Sequence, residues 1–131
     1  MPQMTTRYDP RDGILIEVEL RCPGDPSAPT ASATLLIDTG STRTHITSQI
    51  ADHLGLPLRG RRLVTTASAQ RLMDYWTADV IIPGLPITFS NIEVRDFLPP
   101  NMKQAGVLGR DILSLGILHI DGPNRIATLS F

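Results

Sequence analysis

The sequence predicts a mostly β domain with one or two short helices, and three observations carry that expectation. Ile14, Ile16, Val18 and Leu20 alternate with Leu15, Glu17 and Glu19, the period of two that marks a strand with one buried face. Pro83-Gly84-Leu85-Pro86 and Asp121-Gly122-Pro123-Asn124 each separate two apolar runs of β type, as turns do. Helix signals are confined to two brief stretches, one near residue 50 and one near residue 112.

Taken in order, the alternating strand at 14–20 gives way to a loop at 22–30, where three prolines and a glycine rule out regular structure. The apolar run 33–37 restores a strand, so the two form a hairpin with a long connection. Thr44 and Ile46 lie in a short extended piece. Thr47 or Ser48 can cap a helix that runs through Leu54 and stops at Gly55, with Leu56-Pro57 enforcing the break. Residues 63–66 and 72–80 read as two strands around Ala67-Ser68-Ala69-Gln70, a hairpin without a strong glycine signal. Strands at 80–82 and 87–94 flank the Pro-Gly-Leu-Pro turn. Residues 110–115 form the second helix, with Asp111 in its first turn, where the helix dipole favours a negative charge. Residues 117–120 and 126–129 make a final hairpin.

The chain has 131 residues, enough for one core and one domain spanning 1–131, with residues 1–10 as an arm that is either flexible or at an interface. Apolar residues make up 41% and charged residues 19%, the balance of a globular protein rather than a disordered one. A net charge of -1, from 12 basic and 13 acidic residues, argues against a nucleic-acid partner. Arg59, Arg61 and Arg62 form a local basic cluster that reads as solvated surface. Cys22 is the only cysteine, so no intrachain disulfide can form, and it reads as a spectator thiol. The first residues lack the apolar core of a signal peptide, and no stretch approaches the ~20 apolar residues of a membrane span, so a cytoplasmic location with no membrane contact is expected.

The chemistry concentrates in Leu35-Leu36-Ile37-Asp38-Thr39-Gly40-Ser41, where an apolar strand delivers a carboxylate into a glycine turn. Gly40 permits a tight turn, Thr39 can brace it, and Ser41 can reach a carboxylate oxygen. The triplet alone is equally compatible with a structural turn. Together with Val107-Leu108-Gly109-Arg110-Asp111, however, the segment resembles the paired signatures of the retropepsin-like aspartic proteases. The resemblance extends roughly from residue 14 to residue 120.

That resemblance implies a retropepsin-like acid protease half-barrel with a flap hairpin. It implies an aspartic endopeptidase acting as a homodimer, with one Asp38 from each chain activating a water on a peptide or protein substrate. Thr39, Gly40, Ser41, Gly109 and Arg110 would support the catalytic loop. The hairpin at 63–80 would be the flap, placing Thr66, Ala67, Ser68, Leu72, Trp76 and Ile82 against substrate, with a place in the core as an equal alternative for Trp76. The C-terminal segment 126–131 would contribute to the dimer sheet. No cofactor and no metal are implied. Thr42 stands where viral members commonly have an acidic residue, and the flap tip lacks their glycines; Arg110 would then bond to backbone carbonyls or to Asp111.

Other chemistries find less support. His45, His53 and His119 form no His-Glu-x-x-His motif, Ser41 and Ser68 lie in no Gly-x-Ser-x-Gly frame, and Gly106 and Gly109 build no phosphate loop. Asp74 and Asp79 read as exposed or locally paired. The alternative to an enzyme is a noncatalytic peptide-binding or dimerisation module with the same fold.

Overall fold

In the computed structural model, residues 1–65, 67–97 and 104–131 are described. The chain order is β1 (Gln3–Asp9), β2 (Gly13–Arg21), β3 (Ala31–Ile37), β4 (Thr44–Ile46), α1 (Ser48–Leu54), β5 (Leu58–Thr65), β6 (Gln70–Ile81), β7 (Thr88–Asp96), β8 (Gly106–Leu108), α2 (Arg110–Leu113), β9 (Ile117–Asp121) and β10 (Ile126–Ser130). Strands dominate because the apolar residues recur at the strand period, and the two helices remain short.

The strands join in the order β5-β6-β7-β4-β8-β3-β2-β1-β10-β9, and β6 also pairs with β2. That extra pairing, Glu19 to Ile81 through Arg21 to Asp79, closes β6, β7, β4, β8, β3 and β2 into a barrel. Strand β2 makes closure possible because it is long. One edge carries β3, while the other pairs with β1 at Gly13 and Ile14 and with β6 from Glu19 onward. Its inward residues Ile14, Ile16, Val18 and Leu20 meet Leu35, Trp76, Val80, Ile82, Val94, Leu108 and Ile112 in the core. Burying side chains of this size contributes about 1.5–3 kcal/mol each before conformational entropy is subtracted.

Outside the barrel, β1, β10 and β9 extend the sheet in one direction, and β5 lies at its other end. Residues 3–9 thus form a strand that the sequence pattern does not signal. Tyr8 and Met4 pack against the core, and β1 pairs with β10 from Gln3–Ser130 to Arg7–Ile126. Strand β10 is hydrogen-bonded on both sides, by β1 and β9, so the free edge at this end is β9 rather than the C-terminal segment.

Three local expectations need adjustment. The hairpin at 63–80 is longer than predicted, because β5 begins at Leu58 and takes in the basic cluster, with a register shift between Leu58 and Gly60. Thr47 occupies the N-cap position of α1 with extended backbone, but its side chain makes no capping bond; Gly55, at φ 63°, ends the helix in the left-handed region. Helix α2 stops at Leu113.

Asp79 is not an exposed carboxylate. It is 3% exposed and accepts the backbone N–H of Asn91 at 2.8 Å and of Gly24 at 3.2 Å, with Arg21 Nε at 3.6 Å. It fastens the turn after β2 to β6 and β7, a structural role that a buried carboxylate can hold because its oxygens are paired.

Candidate active site

Asp38 follows directly on β3, which runs parallel to β8 with Leu36 opposite Val107 and Ile37 opposite Leu108. The ladder continues one step beyond the strand, as the Asp38 N–H donates to the Leu108 carbonyl at 3.0 Å. An apolar strand on each side of the turn therefore fixes where the carboxylate emerges. The turn itself is closed by the Gly40 N–H donating to Asp38 Oδ1 at 2.9 Å and by the Ser41 N–H donating to the Asp38 carbonyl at 3.2 Å. Asp38 is half-buried, whereas Thr39 and Gly40 are exposed.

A second layer holds this loop from behind. Gly109 lies so close to Arg43 that an added Cβ would overlap the Arg43 carbonyl oxygen, which explains the need for glycine at this position. Arg110 donates its backbone N–H to the Ser41 carbonyl at 2.9 Å and its guanidinium Nη1 to the Thr39 carbonyl at 2.8 Å. The expected bond from Arg110 to backbone is present, and it clamps both ends of the Thr39–Ser41 peptide run. Ser41 does not turn toward Asp38; its hydroxyl donates to the Arg43 carbonyl at 2.7 Å.

The residues that sequence reasoning passed over are Thr44 and the side chain of Asp111. Thr44 is fully buried, and it donates its backbone N–H and its hydroxyl to the Asp111 carboxylate at 3.0 and 2.8 Å. The same hydroxyl oxygen accepts the Gly109 N–H at 3.2 Å. One hydroxyl thus satisfies two buried partners from the facing loop. The available signal was the alternation in Thr44-His45-Ile46, which puts Thr44 on the same strand face as Ile46.

The hairpin residues separate. Ala67 and Ser68 lie exposed at its tip, and Leu72 is 69% exposed. Thr66 lies outside the described residues. Trp76 and Ile82, expected against substrate, are instead in the barrel core at 4% and 0% exposed. The reason is register. Trp76 pairs with Val94 on the inward face of β6, and Ile82 lies past the point where β6 closes onto β2. Neither offers surface to a ligand.

Next to the loop, Glu93 on β7 gathers arginines from three elements: Arg95 at 3.2 Å, Arg62 of β5 at 3.1 Å and Arg43 at 3.9 Å. Arg62 also lies 4.8 Å from the centre of the Tyr75 ring. Burial works against ionisation of Glu93. The hydrogen bond from Arg95 and the charges of Arg62, Arg95 and Arg43 outweigh it, holding the carboxyl below its usual range. Arg61 on the same strand pairs with Asp74 at 2.8 Å. Among the described residues no His, Cys, Asp or Glu cluster could hold a metal ion, and no helix is long and apolar enough to cross a membrane.

A turn-borne carboxylate on a strand inside a small mixed barrel, backed by a Gly-Arg-Asp loop, defines the class of acid proteases. The aspartyl protease family matches residues 27–112, a span that includes both loops, and the chain belongs to that family. The fold is retropepsin-like. It is similar to the crystal structure of a retropepsin-like aspartic protease from Rickettsia conorii, with a TM-score of 0.63 over 97% of this chain and 89% of that one, at 19% identity. No curated protein matches the chain.

Proposed function

We propose that the chain is an aspartic endopeptidase that works as a homodimer, each chain supplying one Asp38. The observation that carries this reading is the hydrogen-bonded turn at Asp38 to Ser41, held from behind by Arg110 and Gly109. Such a frame fixes a carboxylate at the surface without using up its oxygens, since the only hydrogen bond described to its side chain is the one from Gly40. A residue serving only the turn would not need the second layer.

Two Asp38 carboxylates brought together across a two-fold axis would repel one another if both were charged, so the pair holds one shared proton. The ionised member takes a proton from a water, and the protonated member donates to the peptide carbonyl. Water attacks directly, and no covalent enzyme intermediate forms. The partner surface is the free edge at β9, where Ile117 and Ile120 are 57% and 50% exposed and Leu115 just before it is 62% exposed. An uncovered apolar edge of this kind is a natural site for a second copy to add on. The β5–β6 hairpin acts as the flap, with Ala67, Ser68 and Leu72 facing the peptide. The chain forms a single domain, with β1 part of the body of the fold.

The test is cleavage of a diverse peptide library from pH 4 to 7 by the wild type and by Asp38→Asn, matched for folding and dimerisation. Removing the acid–base pair costs about 10²–10⁴-fold in rate. Asparagine can still accept the Gly40 N–H, so the fold should hold. Equal cleavage by the pure variant sinks the mechanism. A confirmed dimer that cuts nothing favours a noncatalytic peptide-binding module.

A further inference from the structure

We infer that the arginine cluster around Glu93 is a substrate subsite that selects an acidic side chain in the peptide, with Arg43 and Arg62 making the contact. This deepens the proposed peptidase reading and rests on it.

Three guanidiniums, from Arg43, Arg62 and Arg95, converge on the single carboxylate of Glu93. One carboxylate cannot neutralise three cations, so the cluster keeps an excess of positive charge. The nearby acid on the hairpin, Asp74, is engaged by Arg61. The excess is also reachable: the side chains of Arg43 and Arg62 are 45% and 51% exposed, whereas those of Arg95 and Glu93 are 21% and 18% exposed. Glu93 and Arg95 form the floor, and the outer two arginines turn unused N–H groups to solvent. Tyr75 under Arg62 fixes the plane of that guanidinium, which pre-organises it for a carboxylate.

Position then gives the cluster its meaning. Arg43 ends the loop that begins at Asp38, and its backbone is gripped by the Ser41 hydroxyl and packed on by Gly109. Arg62 belongs to β5, the outer strand of the hairpin. The cluster therefore bridges the two elements between which the peptide is proposed to lie. Arg43 lies five positions after Asp38, which bounds their separation at roughly 17 Å. An extended peptide covers that distance in about five residues. The selected acidic residue thus falls within about five positions of the scissile bond, and the two-fold axis of a dimer repeats the subsite on the other side.

The experiment compares pairs of peptides cut by the wild type, identical except for Glu or Gln at one position within five residues of the cut, at pH 6 and low salt. The expected result is about a tenfold higher kcat/KM for the Glu peptide at one position, the scale of a charge-assisted contact. That ratio should fall toward one in both Arg43→Gln and Arg62→Gln, and in high salt. If these arginines only brace the hairpin, the variants will slow both peptides alike and leave the ratio unchanged, which overturns the proposal. An active wild type with equal rates at every position overturns it too. If the wild type cuts nothing, the peptidase reading fails separately, and the same peptide pairs are measured by fluorescence anisotropy. Tighter binding of the Glu peptide, lost in Arg62→Gln, supports the subsite; equal or no binding overturns it.

Discussion

The Asp38 loop and the β5–β6 hairpin are built on opposite plans. At the loop, Thr44 is fully buried, its hydroxyl is shared between Asp111 and Gly109, and Arg110 reaches across to the Thr39 carbonyl. Along the outer hairpin, Leu63 and Leu72 face each other across the strands and stand 59% and 69% exposed. The first region is over-determined by partners distant in sequence, and the second is held by its own ladder and, lower down, by the Arg62–Glu93 ion pair. Under the proposed function this division suits a site that keeps one carboxylate in place while admitting a long substrate.

That contrast can be broken at its strongest point. Gly109→Ala drives a methyl group into the Arg43 carbonyl, where backbone leaves no room to yield. It should cost about 3 kcal/mol, at the upper end for overpacking, and should lower the midpoint of urea unfolding. An unchanged midpoint would mean that the two loops are not locked together.

Next in size is Thr44→Val, which keeps the shape but strands the Gly109 N–H and removes a donor from Asp111. A loss of about 2 kcal/mol in denaturant titration is expected, the penalty for a buried polar group left unpaired. Combined with Gly109→Ala, the effects should be markedly non-additive, since both act on how Gly109 is seated against its neighbours Arg43 and Thr44.

A smaller effect of opposite sign is expected at Asp96, at the end of β7 beside α1. Its Oδ1 is buried without a partner, and burial, aided by the negative charge of Asp74 and opposed by the Phe97 amide, raises its pKa above 3.8. A raised carboxylate pKa means that the folded state binds the proton more tightly than the unfolded chain does. The group therefore costs no stability below 3.8, and its cost grows as pH rises through the folded value. Asp96→Asn should stabilise the protein by about 1 kcal/mol at pH 7. The gain should shrink as pH falls toward and below the ordinary carboxylate range, which thermal melts across pH will check. A gain that persists undiminished at low pH would contradict the assignment.

The smallest effect sharpens the other half of the comparison. Leu72→Asn changes an exposed side chain and should move stability by no more than about 0.5 kcal/mol. Under the proposed function it should still raise KM for peptides. A large loss of stability would show that the hairpin is packed rather than free.

How much of this was legible in the sequence differs in the same way between regions. Strands β2, β3 and β7 announce themselves through alternation and through the Pro83–Pro86 turn, because those signals are local. Asp38-Thr39-Gly40 and Gly109-Arg110 were legible as candidate chemistry only together, since the triplet alone reads equally well as a turn. Strand β1 was not legible: its partners lie near the other end of the chain, where Met4 meets Leu129. The choice between core and flap for Trp76 stayed open in the sequence because it depends on a register shift in β5 and on β6 closing over β2. The cluster at Glu93 joins Arg43, Arg62 and Arg95 only through cross-strand neighbours, so a reader of the sequence sees four scattered charges.

The parallel pairing of β3 with β8 also sets a clock. Asp38 is held by Leu108, Thr39 by Arg110 and Thr44 by Asp111, with Thr39 and Arg110 separated by 71 positions in the chain. Contacts that distant form late, after closer pairings have reduced the loop to be closed. Until synthesis has passed Leu108, Arg110 and Asp111, the carboxylate has no frame, and the nascent chain emerges with its site unassembled.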